Sequence, residues 1–213
     1  MDIDIQRRID AVDRSVELGG SGDDAAITLT QDYEAPIADL WDACTNAERI
    51  PRWFMPVTGD LREGGTYQLE GNAGGRVLSC EPPHSFRVTW EYGGESSEVE
   101  VRLTALSDER TRFALTHVAP LNDHWAQYGP GATGIGWEMG LLGLALHLSS
   151  GADVPPEATE WAASSEARRF TELSGRRWGE AHAAAGVDPE EAEAAAGRTV
   201  AAYTADPEAG SEA

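Results

Sequence analysis

His117 is the residue whose type and position most clearly invite a chemical role. In F-A-L-T-H (113–117) it follows Phe113 and Leu115 at alternate positions. A strand here puts its imidazole on an apolar face, where it needs a hydrogen-bond partner and can titrate near neutrality. Two roles fit: a ligand-orienting or acid–base group, or a core histidine satisfied by a neighbour. His84, His124 and His147 fall at turns or helix ends without a partner that sharpens them. No two histidines stand at metal-ligand spacing, H-E-x-x-H is absent, and Cys44 and Cys80 are isolated, so no metal is expected. There is no G-x-S-x-G, and neither cysteine has a convincing His and acid partner, so no catalytic residue is assigned. G-N-A-G-G (71–75) has the composition of a phosphate loop but joins two strands, which predicts a hairpin turn. No cofactor is expected.

The stronger signal is apolar side chains at strand alternation. A-A-I-T-L-T-Q-D-Y (25–33) places Ile27, Leu29 and Tyr33 on one face of a half-buried strand. Pro36 then opens a helix carrying Ile37, Leu40, Trp41 and Cys44 at helical spacing. Thr45 and Glu48 read as a capping box that starts a second short helix ending before Pro51. Between Phe54 and Pro120 runs an antiparallel meander. Tyr67 and Leu69 share a face, as do Phe86, Val88, Trp90 and Tyr92, then Val99, Val101 and Leu103, then Phe113, Leu115 and His117. Residues 122–133 read as an irregular loop with Trp125 and Tyr128. A helix with Trp137, Leu141, Leu144, Ala145 and Leu148 on one stripe follows, and its Gly136, Gly140 and Gly143 call for a close neighbour.

Four segments result: a charged leader (1–24) with room for one short strand, a domain over 25–150, a helical extension over 151–204, and a disordered tail over 205–213. In the extension, Pro155 and Pro156 open a short helix with Trp161, and Ser164 caps a helix carrying Phe170, Leu173 and Trp178. Asp188, Pro189 and Glu191 open the last one. Its apolar face is too small for a separate core, so it should dock on the domain or at its mouth.

The 213 residues carry 37 acids against 16 basic residues, all Arg, for a net charge of -21. Such a surface repels phosphate backbones, which excludes nucleic acid and anionic membrane as partners. The N-terminus lacks the apolar core of a signal peptide, and the most apolar stretch, ending at Leu148, is short and holds Glu138. With two isolated cysteines, these features predict a soluble cytoplasmic protein.

The segments Y-E-A-P-I-A-D-L-W-D-A-C-T-N-A-E-R-I-P-R-W-F (33–54), C-E-P-P-H-S-F-R-V-T-W (80–90), L-T-H (115–117) and G-W-E-M-G-L-L-G-L-A-L-H-L (136–148) carry a family likeness. Residues 25–149 resemble the Hsp90 ATPase activator-like branch of the START/SRPBCC (Bet v 1-like) superfamily. The resemblance implies an α+β helix-grip fold, a curved seven-stranded antiparallel sheet around a long C-terminal helix, with an apolar cavity between them. The inward faces would then line that cavity with Tyr67, Leu69, Phe86, Val88, Trp90, Val101, Phe113, Leu115 and His117. Trp137 and Leu141 would face them from the helix, and Trp53 would stand near the entrance. The implied function is binding of an apolar or amphipathic small molecule without catalysis, by a monomer or homodimer. The alternatives are a cyclase- or hydratase-like enzyme using His117 as general acid or base, and a regulator associated with an Hsp90-type chaperone.

Overall fold

The computed structural model describes residues 4–19, 23–151, 153 and 160–205. The chain begins with α1 (Ile5–Asp10), whose first turn is capped by the Asp4 carboxylate accepting from the Arg7 N–H, and β1 (Asp13–Leu18). It continues through β2 (Asp24–Tyr33), α2 (Ile37–Thr45), a 3-10 turn (Ile50–Arg52), β3 (Val57–Gly59) and β4 (Thr66–Leu69). Then come β5 (Gly74–Glu81), β6 (Ser85–Tyr92), β7 (Glu95–Ser107) and β8 (Arg110–Pro120). The helices α3 (Asp123–Tyr128), α4 (Gly131–Ser150), α5 (Ser165–Ala184) and α6 (Pro189–Thr204) complete it, with a 3-10 turn (Glu160–Ala163) before α5.

The strands form one sheet in the order β1-β2-β8-β7-β6-β5-β4-β3, antiparallel throughout. This is the helix-grip architecture, with eight strands in place of the expected seven. The eighth is β1: the leader pairs with β2 from Asp13–Thr30 to Leu18–Ala25 and is an ordered edge of the sheet. Alternation sets the buried face. In β2, Ala25, Ile27, Leu29, Gln31 and Tyr33 point inward, and in β8 Thr111, Phe113, Leu115 and His117 do so. Register brings Val101 beside Phe86 and Leu115, and Val99 beside Val88 and His117.

Three local expectations change. Thr45 ends α2 instead of capping a new helix, because its hydroxyl donates back to the Trp41 carbonyl. Asn46 takes over, accepting the Glu48 N–H, and the expected second helix is the three-residue 3-10 turn containing Pro51. Residues 123–128 are helical, not irregular, with the Asn122 side chain accepting the Trp125 N–H. Tyr92 continues the alternation of β6 yet is 61% exposed, since the strand has run past the covering helix. The expected start at Pro155 and Pro156 and the disordered tail, apart from Ala205, lie outside the described residues.

α4 is buried on two sides. Leu141, Leu144 and Ala145 join the core facing the sheet, while Leu142 and Leu146 pack with Ile5, Ile9 and Phe170. Gly134 lets α5 approach: a Cβ there would sit 2.1 Å from the Trp178 ring. On α4, Glu138 is 1% exposed and forms a bidentate pair with Arg14 of β1, both bonds 2.6 Å. The remaining Arg14 donors reach the Val12 and Ile9 carbonyls, so the buried charges are fully partnered.

Candidate functional site

The concave side of the sheet, α2 with its 3-10 turn, and α4 line a partly open cavity of about 140 Å³. Strand alternation supplies Tyr67, Leu69, Phe86, Val88, Trp90, Val101, Phe113 and Leu115, while Trp53 follows the 3-10 turn and Trp137 and Leu141 come from α4. All eleven are residues the sequence pointed to. Cys44, Thr45, Ile50 and Phe54 also line it and were not singled out, although Cys44 lies on the readable stripe of α2. Two of the aromatics are fixed by their polar ends: Trp53 Nε1 donates to the Ala43 carbonyl (2.9 Å) and the Tyr67 hydroxyl to the Thr89 carbonyl (2.7 Å). Burial pushes the Cys44 thiol up to about 12, so it stays a neutral thiol and no nucleophile.

His117 stands outside this cavity. Trp137 crosses between them, because α4 lays its indole over the end of β8. A row of rings forms the partition: Trp53 on Phe54 (centroids 5.4 Å), Phe54 on Trp137 (6.0 Å), Trp137 against Trp90 (4.8 Å). Gly140 makes room for it; a Cβ there would lie 3.3 Å from the Phe54 ring.

The hydrogen bonds of His117 fix its tautomer. Trp137 Nε1, which can only donate, points at Nδ1 (3.1 Å), so the ring proton of the neutral imidazole is on Nε2. Nε2–H then donates to Ser97 Oγ (2.8 Å), whose own hydroxyl donates to the Trp90 carbonyl (3.2 Å). Burial lowers the histidine to about 4, so it is neutral at pH 7. With its basic nitrogen held by an indole, His117 cannot take a proton from Ser97. It is a satisfied histidine that orients Trp137.

Beyond the partition lies a second space of about 370 Å³, between the ends of β6, β7 and β8, α3 and the start of α4. Its wall is mixed: Ser96, Ser97, His117, Asn122, Thr133 and Glu95 alternate with Trp90, Trp125, Trp137 and Tyr203. The extension builds part of it. Arg198 Nε donates to the Gln127 carbonyl, Thr199 to that of Tyr128 and Tyr203 to that of Ala132, which tie α6 to α3 and to the start of α4. Sequence reading missed this cleft, whose parts come from five separate stretches of chain. Among the described residues no group of three or more His, Cys, Asp or Glu is placed to hold a metal, and no helix is long and apolar enough to cross a membrane.

Comparison with known proteins agrees with this architecture. The family model described as activator of Hsp90 ATPase homolog 1-like protein matches residues 34–148. The crystal structure of CalU16 from Micromonospora echinospora is 35% identical, covers 82% of this chain and 98% of its own, and superposes with a TM-score of 0.62. Its solution structure gives 34% identity, coverage of 83% and 97%, and a TM-score of 0.68. DynU16, described as a protein in the dynemicin biosynthetic locus, shares the fold at 20% identity and a TM-score of 0.52, covering 60% of this chain and 48% of its own. No curated protein matches the chain. The chain belongs to the activator of Hsp90 ATPase homolog 1-like family, within the Bet v 1-like superfamily.

Proposed function

We propose that this family member is a small-molecule-binding protein which takes a ring-sized apolar group into the cavity between α4 and the sheet and does no chemistry on it. The observation that carries this is the wall itself. It is almost wholly hydrocarbon and aromatic, burial raises both its thiols, Cys44 and Cys80, above the ordinary range, its Tyr67 hydroxyl is already bonded, and His117 is screened off by Trp137. An apolar space of about this volume accepts a benzene-sized guest. Leader and extension belong to the same unit, because both pack on the far side of α4.

The test is titration with naphthalene-type probes, followed by quenching of the tryptophans in the partition. Saturable quenching is expected in the unmodified protein and its loss in Val88→Phe, which fills the space. Absence of saturable quenching in the unmodified protein would overturn the reading. Turnover of a bound probe abolished by His117→Gln would overturn the non-catalytic part.

A further inference from the structure

We propose that the cleft beyond the aromatic partition is a site of its own, which takes an amphipathic cation with its ring on the partition and its protonated amine towards Glu95. The inference goes beyond the binding role proposed above, which concerns the cavity on the other side of the wall. That cavity, at about 140 Å³, holds one ring-sized group, whereas the cleft offers about 370 Å³ beyond a shared wall of Phe54, Trp90 and Trp137. The cleft wall itself offers both aromatic and hydrogen-bonding side chains.

Charge selects the sign of that second end. Among the described residues, Glu95 is the only acidic one on the cleft lining and no Arg lies there, in a chain without Lys. The other ionisable groups are His117, held neutral by burial, His124, whose ring lies against Tyr128 at 4.9 Å, and Tyr92 and Tyr203. The Glu95 carboxylate is held by Asn122 Nδ2 at 2.9 and 2.8 Å, and Asn122 is itself fixed by capping α3. A carboxylate has about four acceptor positions, so this single donor leaves room for an ammonium group. Trp90, Trp125 and Trp137 also line the cleft, and indole rings attract a cation and repel an anion at their faces. The net charge of -21 acts in the same sense.

The experiment uses three naphthyl probes, naphthylmethylamine, naphthylmethanol and naphthoate, at pH 8 and low salt. The amine should bind roughly tenfold more tightly than the carboxylate, with the alcohol between them, and the spread should shrink in 0.5 M salt. In the near-isosteric Glu95→Gln the amine should lose most of its advantage and fall to within about twofold of the alcohol. Equal binding of all three probes, or an amine preference that survives in Glu95→Gln, overturns the cationic ligand while leaving the cavity reading intact. Binding of none overturns both.

Discussion

The two sides of α4 use the same aliphatic and aromatic material for opposite ends. Towards the sheet, Leu141 and Trp137 border empty space. Away from it, Leu142 and Leu146 are packed against Ile5, Ile9 and Phe170, and a buried Arg14–Glu138 pair pins the leader in place. A void in a core forfeits contact energy and has to be offset elsewhere. Here the offset is on the back of the helix, made by segments outside residues 34–148 of the family match. Stability and binding are thus assigned to different faces of one element.

Four measurements can break or sharpen that contrast. The largest effect should come from Glu138→Ala, which leaves the Arg14 charge buried and unpaired; chemical denaturation should show a loss of about 3–5 kcal/mol with probe binding retained at low denaturant. Next is the same truncation on the two sides. Leu142→Ala should cost about 4 kcal/mol, whereas Leu141→Ala should cost about 2, because Leu141 already faces space and gives up fewer contacts. Equal costs would erase the distinction.

The third is a pH dependence. His117 is lowered to about 4 in the folded protein against an ordinary 6.5. The unfolded chain therefore binds the extra proton first, and stability is complete above pH 6.5 and lost as pH falls towards 4. Its share is about 3 kcal/mol over that window, read as the difference in slope between the parent and His117→Phe. The smallest is Val88→Phe, which fills the cavity and should change stability by less than about 1.5 kcal/mol.

The sheet-facing side was legible because a period of two marks most inward residues of the meander; that these faces line a cavity with Trp53, Trp137 and Leu141 came from the family resemblance, and eleven of the twelve chosen positions line it. His117 shows where the pattern stops. Its parity is right, since it faces inward beside Ile27 and Val99, but parity cannot foresee that an indole from α4 will cross in front of it. The back of α4 was hidden for a related reason. Arg14 and Glu138 are 124 positions apart, and neither residue alone distinguishes a buried pair from two solvated charges. β1 is six residues long with only Val16 buried, too little alternation to separate a strand from a polar leader. The cleft needs Glu95, Asn122 and Tyr203 together, and only the docking of α6 on α3 and the start of α4 brings the last of them there.

The shape of the sheet's margins bears on how the molecule behaves in a crowd. A sheet that does not close offers two rows of unpaired peptide groups to any passing chain. At one margin β3 is three residues long and ends in Gly59, whose φ of 115° turns the backbone out of strand geometry. At the other, β1 carries the exposed Asp13 and Glu17 among its six residues and lies against α5. Neither margin offers a long, flat, apolar template. Self-templated pairing, edge to edge, is discouraged at both margins.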